Sequence, residues 1–186
     1  NAQGLDLNRD HMKLDSPEGR SVVKLMTDYD PHVSMDLHTT NGTRHAYFLT
    51  YAPPLNPATH PAIIGLLRQD WRPWVTKTAR DKYDWDYYYY GNIDGGGRRG
   101  GAAPERAWKS FDSRPRFNNN YVGLRNRIAV LSEAFAYASF KDRIVATSRF
   151  VEENLNFINA NASRIRKVVA DPDAQRIIGT RLGLRA

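Results

Sequence analysis

Apolar runs with the period of a strand, two of them closing on an ionisable residue and all set among long helical stretches, constrain this chain more than any other feature. Ile128-Ala129-Val130-Leu131-Ser132 leads straight into Glu133. Val33 to His38 alternates, with Val33, Met35 and Leu37 on one side and Ser34, Asp36 and His38 on the other. Ala46 to Tyr51 and Asp86 to Tyr90 read as two further strands. Ser16-Pro17-Glu18 supplies an N-cap, a first-turn proline and an acid at the positive end of a helix dipole, and Val22, Val23, Leu25, Met26 and Tyr29 follow at helical spacing. Pro61 to about Arg80 suits a second helix, which Pro73 must interrupt or kink. Ser139 to Ala170 is the longest helical stretch, and Pro172 is expected to end it. The pattern predicts an α/β fold, a mixed, mostly parallel sheet flanked by helices on both faces, with ligands bound beyond the carboxyl ends of strands. His38 and Glu133, ninety-five residues apart, both stand at such ends.

The 186 residues, 41% of them hydrophobic, suffice for a core. The absence of cysteine excludes a disulfide framework and any thiolate metal site. No window approaches the roughly 18 apolar residues of a transmembrane helix, so no membrane span is expected. The net charge of +7 is unevenly placed: residues 91–186 carry seventeen of the 27 Lys and Arg against nine acids. A basic half is the electrostatic footprint of nucleic-acid binding. No reader motif accompanies it, however, and solvated helix faces with a basic rim explain the charge more simply, so nucleic acid is not the expected partner. Gly91 to Gly101 holds six glycines but lacks the Lys-Ser/Thr pair of a nucleotide-binding loop, and reads as a mobile surface loop.

The chemistry-bearing candidates sit at strand ends and in loops. His38 projects from the polar side of its strand, as a metal ligand does, and Asp36 stands two residues before it; a histidine that merely hydrogen-bonds a loop is the plain alternative. Glu133 places a carboxylate at a buried surface, which is costly unless the charge is paired or used. A salt bridge to Arg125, Arg127 or Arg143 is the structural alternative. Tyr121, after Asn118-Asn119-Asn120, is expected on a loop where its hydroxyl could donate to a substrate or its ring could simply pack. His11, His32, His45 and His60 flank polar loops or prolines and are weaker candidates.

Three strings, Leu5-Asp6-Leu7-Asn8-Arg9-Asp10, Asp36-Leu37-His38-Thr39-Thr40 and Leu131-Ser132-Glu133-Ala134, resemble in order and spacing the zinc carboxypeptidases of the carboxypeptidase A-like metallopeptidase superfamily. The resemblance runs from Gly4 to about Ala138, and the helix from Ser139 is similar to the family's C-terminal helix. It implies that Asn8 and Arg9 hold the substrate's terminal carboxylate, a role suited to the planar guanidinium fork. It further implies His38 as a ligand of Zn2+, Glu133 as the base that activates zinc-bound water, and Tyr121 as the counterpart of a mobile substrate-binding tyrosine. Zinc would acidify the water and polarise the scissile carbonyl. The family's other two ligands lie in a His-x-x-Glu motif upstream of the Asn-Arg pair, and no such motif occurs in residues 1–186.

The expectation is therefore the C-terminal portion of a metallocarboxypeptidase catalytic domain over residues 1–171, lacking its N-terminal elements, with 172–186 as a tail or the start of a following segment. Such a portion holds one zinc ligand and is expected to be weakly active or inactive alone. A sheet shortened in this way exposes a strand edge and apolar faces, so a missing N-terminal segment or self-association is an expected partner. The implied substrate is a peptide or cell-wall peptide with a free C-terminal carboxylate, and the implied compartment is secreted or periplasmic. An amidase or deacylase of the same superfamily, and a non-catalytic basic binding module, are the alternatives.

Overall fold

The computed structural model describes residues 1–94, 107–175 and 178–181. A four-stranded sheet runs through its middle, built from β1 (Val33–Thr39), β2 (Leu49–Ala52), β3 (Tyr87–Tyr89) and, late in the chain, β6 (Ile128–Ala134). The strand order is β1-β6-β2-β3. The β1–β6 and β2–β3 pairs are parallel and β2–β6 is antiparallel, so the sheet is mixed and mostly parallel as the sequence pattern predicts. Every residue of β6 and β2 is buried, which is why these two strands read as apolar runs. A two-stranded ribbon pairs β4 (Asn92–Asp94) with β5 (Ala107–Lys109).

Because side chains alternate along a strand, Leu49, Tyr51, Tyr87, Ile128 and Val130 share one face, where they join Trp71, Val75, Phe150 and Phe157 in the main core. The helices on that side are α2 (Pro61–Leu66), α3 (Arg72–Tyr83), α5 (Phe140–Ala160) and α6 (Ala162–Asp173). Tyr51 meets Trp71 edge to face at 5.2 Å. The Trp71 indole donates to Asn154 Oδ1, and the Tyr87 hydroxyl donates to the Ala146 carbonyl, so the polar tips of the core aromatics are satisfied on α5. The opposite face carries Ser34, Asp36, His38, Leu131, Glu133 and Thr50, and α4 (Asn118–Leu124) packs against its β1 and β6 side. α1 (Pro17–Tyr29) begins as the sequence indicates, with the Ser16 hydroxyl accepting from the Gly19 N–H.

Several expectations are corrected. The helix foreseen from Pro61 to Arg80 is present but interrupted: a π-turn over Leu67–Trp71 separates α2 from α3 and widens the backbone just ahead of Pro73, whose ring would crowd the Gln69 carbonyl in an unbroken helix. The single helix from Ser139 to Ala170 is two. Asn161 leaves helical geometry, its side-chain amide donating to the Phe157 carbonyl, and α6 restarts so that Ile165 and Val169 reach the core. Pro172 lies inside the last turn of α6, which stops one residue later at Asp173. Tyr121 is on a helix, not a loop. Asparagine is a poor helix former, but side-chain bonds from Asn119 and Asn120 to neighbouring backbone hold α4 in place. Part of the expected glycine loop is strand β4, whereas residues 95–101 lie outside the described residues. No helix among the described residues is long and apolar enough to cross a membrane.

Candidate active site

Parallel register brings the two strand-end candidates together: His38 is the Cα partner of Glu133. The row continues through Thr50 on β2 to Tyr88 on β3, and all four residues face the side of the sheet opposite the main core. Adjacent strands stand about 4.8 Å apart. The ninety-five positions of sequence separation therefore cost this pair nothing in proximity. Beyond the strands the ladder is prolonged by Thr40, whose N–H donates to the Ala134 carbonyl and whose hydroxyl accepts from the Ala136 N–H at 2.9 Å. This clamp holds the two strand ends in register.

Asp36 orients His38. Its Oδ1 lies 2.9 Å from His38 Nε2, the only hydrogen bond this ring makes among the described residues. That bond, reinforced by the charges of Asp36 and Glu133, raises the His38 pKa against the opposing effects of burial and Arg9. Glu133 is 7% exposed and, among the described residues, its Oε2 is buried with no hydrogen-bond partner. Burial pushes its carboxyl up to about 7, with Asp36 acting in the same direction and the charges of His38 and Arg9 opposing. The salt-bridge alternative for Glu133 is not realised. Arg127 pairs with Asp30 at 2.5 Å and Asp173 at 2.7 Å, and Arg125 also turns toward Asp30.

Asn8 and Arg9 form a 3-10 turn (Leu7–Arg9) capped by Asp6, whose Oδ1 accepts the Asn8 N–H. Arg9 lies over the Phe117 ring at 4.5 Å, and Arg116 lies over the same ring at 4.9 Å. The turn is anchored from behind by Asp10. Its buried carboxylate accepts from the Asp15 N–H, the Ser16 N–H and the Ser16 hydroxyl, and the last of these chiefly holds its pKa below the usual range. Gly19 permits this approach, because a Cβ there would lie 2.5 Å from Asp10 Oδ2.

Asn8, Arg9, Asp36 and Glu133 line one cavity of about 60 Å³, whose other walls are Leu131, Tyr90, Phe111, Phe117, Asn118 and Asn119. His38 instead borders an open hollow of about 320 Å³ with Leu37, Phe140 and Ile144 at the sheet's β1 edge. Tyr121 is not among the residues lining the cavity. Its ring is 5.7 Å from that of His11, which is 9% exposed and, among the described residues, has no partner on either ring nitrogen; burial lowers the pKa of His11. Tyr90 is the tyrosine that reaches the cavity. The sequence gives no local signal for Tyr90, Phe111 or Phe117, since they meet only through tertiary packing. Asp10 could have been noticed from its place beside the Asn-Arg pair.

The donor set answers in part for zinc. His38, with one ring nitrogen held by a carboxylate, has the usual setting of a metal-ligating imidazole. Among the described residues, however, no group of three or more His, Cys, Asp or Glu is arranged to hold a metal ion. The residues present fit one corner of a zinc site and do not complete it. Compared with family models, with curated proteins and with solved structures, the chain matches none. Geometry and chemistry alone therefore carry the functional argument.

Proposed function

We propose that this chain forms the substrate-binding and proton-transferring part of a zinc-dependent metallocarboxypeptidase that hydrolyses the C-terminal amide bond of peptides. The observation that carries the reading is a buried, unpaired carboxylate, Glu133, sharing a small cavity with Arg9 and standing in register with a carboxylate-oriented His38. Arg9, steadied on Phe117, offers its fork to a terminal carboxylate, with Asn8 beside it. Glu133 would take a proton from the attacking water and return it to the departing amine, two transfers that favour a group poised near neutrality. A bound zinc would supply Lewis acidity at the scissile carbonyl. His38 would be one of its ligands, and the others would come from outside the described residues.

The test, on a protein that also carries the remaining zinc ligands, is chelator-sensitive release of C-terminal amino acids from peptides. Glu133→Gln should lower kcat on the order of 10²- to 10⁴-fold with little change in KM, and unchanged turnover would remove Glu133 from the mechanism. Arg9→Ala should raise KM for peptides with a free carboxylate and spare amidated ones; equal loss on both would sink the clamp. Because the small cavity favours a short ligand, deacylation of N-acyl amino acids is the second reading. Rates on acyl-amino acids against longer peptides separate the two.

A further inference from the structure

Tyr90 reaches the cavity across a gap that the sheet leaves for it. On the face that carries Glu133, Asp36, Leu131 and Ala52 stand in one row across β1, β6 and β2. The ladder carries that row on to Tyr90, whose N–H donates to the Tyr51 carbonyl at 2.8 Å just beyond the Tyr51–Tyr89 pair. Ala52 puts only a methyl group between Leu131 and Tyr90, so the phenol can lean over it, and Tyr90 lines the cavity together with Arg9 and Glu133. Burial chiefly raises its pKa, with Glu133 adding to the rise and Asn92 and Arg9 opposing it, so the phenol keeps its proton at neutral pH.

The direction of that proton is set from outside the cavity. The Tyr90 hydroxyl accepts from Asn92 Nδ2 at 3.2 Å, and Asn92 Oδ1 accepts from the Thr43 hydroxyl at 2.7 Å. Neither Asn92 nor Thr43 lines the cavity. A phenol that accepts on one side still has its own proton to give, and no acceptor among the described residues takes the one on Tyr90. Arg9 makes the cavity a place for an anion, and a carboxylate offers about four lone-pair sites, more than one guanidinium fork engages. We infer that Asn92 is a positioning residue that turns the Tyr90 proton into the cavity, where Tyr90 donates it as a hydrogen bond to the carboxylate held by Arg9. The inference rests on the carboxypeptidase reading for the identity of that carboxylate.

The full chain is titrated calorimetrically at pH 7 with an N-acetylated dipeptide ending in alanine and with its C-terminal amide, a measurement that needs no turnover. The free acid should bind more tightly than the amide. Tyr90→Phe keeps the ring and removes only the hydroxyl, and it should weaken the acid about tenfold and spare the amide. Asn92→Leu frees the hydroxyl to turn away and should weaken the acid about threefold, but should have no effect once Tyr90 is already phenylalanine. Unchanged affinity of Tyr90→Phe for the acid, with Arg9→Ala still abolishing the preference over the amide, overturns the inference and leaves the carboxypeptidase reading standing. Equal losses on acid and amide would make Tyr90 part of the wall alone and also overturn it, as would an Asn92→Leu loss that persists in the Tyr90→Phe background. A wild type that binds acid and amide alike, or neither, overturns the inference and the Arg9 clamp together. The expected binding pattern from a protein that cleaves no peptide supports the inference while the carboxypeptidase reading fails. Should Asn92→Leu fail to fold, Thr43→Val, which releases Asn92 from its second bond, takes its place.

Discussion

A carboxyl that ionises near pH 7 can both take and return a proton at neutrality, and in Glu133 burial produces that property at a cost in stability. The native carboxyl ionises at about 7 while the unfolded chain's ionises near 4.5, so between those values the native state keeps a proton that the unfolded state has lost. Stability from this residue therefore falls as pH rises through that window and is level above it. Glu133→Gln should make the metal-free protein more stable at pH 8 by about 1–3 kcal/mol and leave it nearly unchanged at pH 4. Urea denaturation at the two pH values measures this, and equal midpoints at pH 8 would mean that burial does not penalise the charge. The sequence placed Glu133 correctly at the end of an apolar strand, because burial there follows from its neighbours. It could not show that Arg125 and Arg127 are committed to Asp30 and Asp173, since those partners are supplied by α1 and α6.

Short elements carry the site, and close contacts hold them in place. α4 lies so near the loop after β2 that a Cβ on Gly123 would fall 2.6 Å from Pro54. Gly123→Ala should therefore cost about 1–3 kcal/mol by overpacking, despite alanine's better helix propensity. It should also raise KM, because α4 bears Asn118 and Asn119; a stabilised variant with unaltered KM would show that the contact relaxes freely. α4 also marks where sequence reading reached its limit. Strands β1 and β6 were legible from periodicity, and α1 from its cap, because those signals are local. α4 is held by asparagine side chains reaching Pro53 and Leu55, more than sixty residues upstream, and nothing in the string Asn118-Asn119-Asn120 announces those bonds. The break at Asn161 went unseen because the apolar spacing continues through it. Tyr90 and Phe117 were missed because a cavity wall leaves no period in a sequence.

Across the chain as a whole, Arg127 joins three distant parts. Standing just before β6 and only 13% exposed, it binds Asp30 at the end of α1 and Asp173 at the end of α6. Its partners are half exposed, so the full value of a buried pair is discounted, and Arg127→Ala should cost about 1–2 kcal/mol. Raising the salt concentration should shrink the difference between variant and wild type in thermal unfolding, and a salt-independent loss would assign the effect to packing instead. The same pairing shows that part of the basic second half is neutralised by acids from the first, as it is again where Arg164 meets Asp70. The shared register of His38 and Glu133 has a different kind of consequence. Their separation is set by the ladder between two parallel strands, flanked by β2 and by the Thr40 bonds, so segments outside these pairings can change in length without moving either side chain. A lineage built on this sheet could remodel what surrounds the cavity while inheriting the placement of His38 against Glu133 intact.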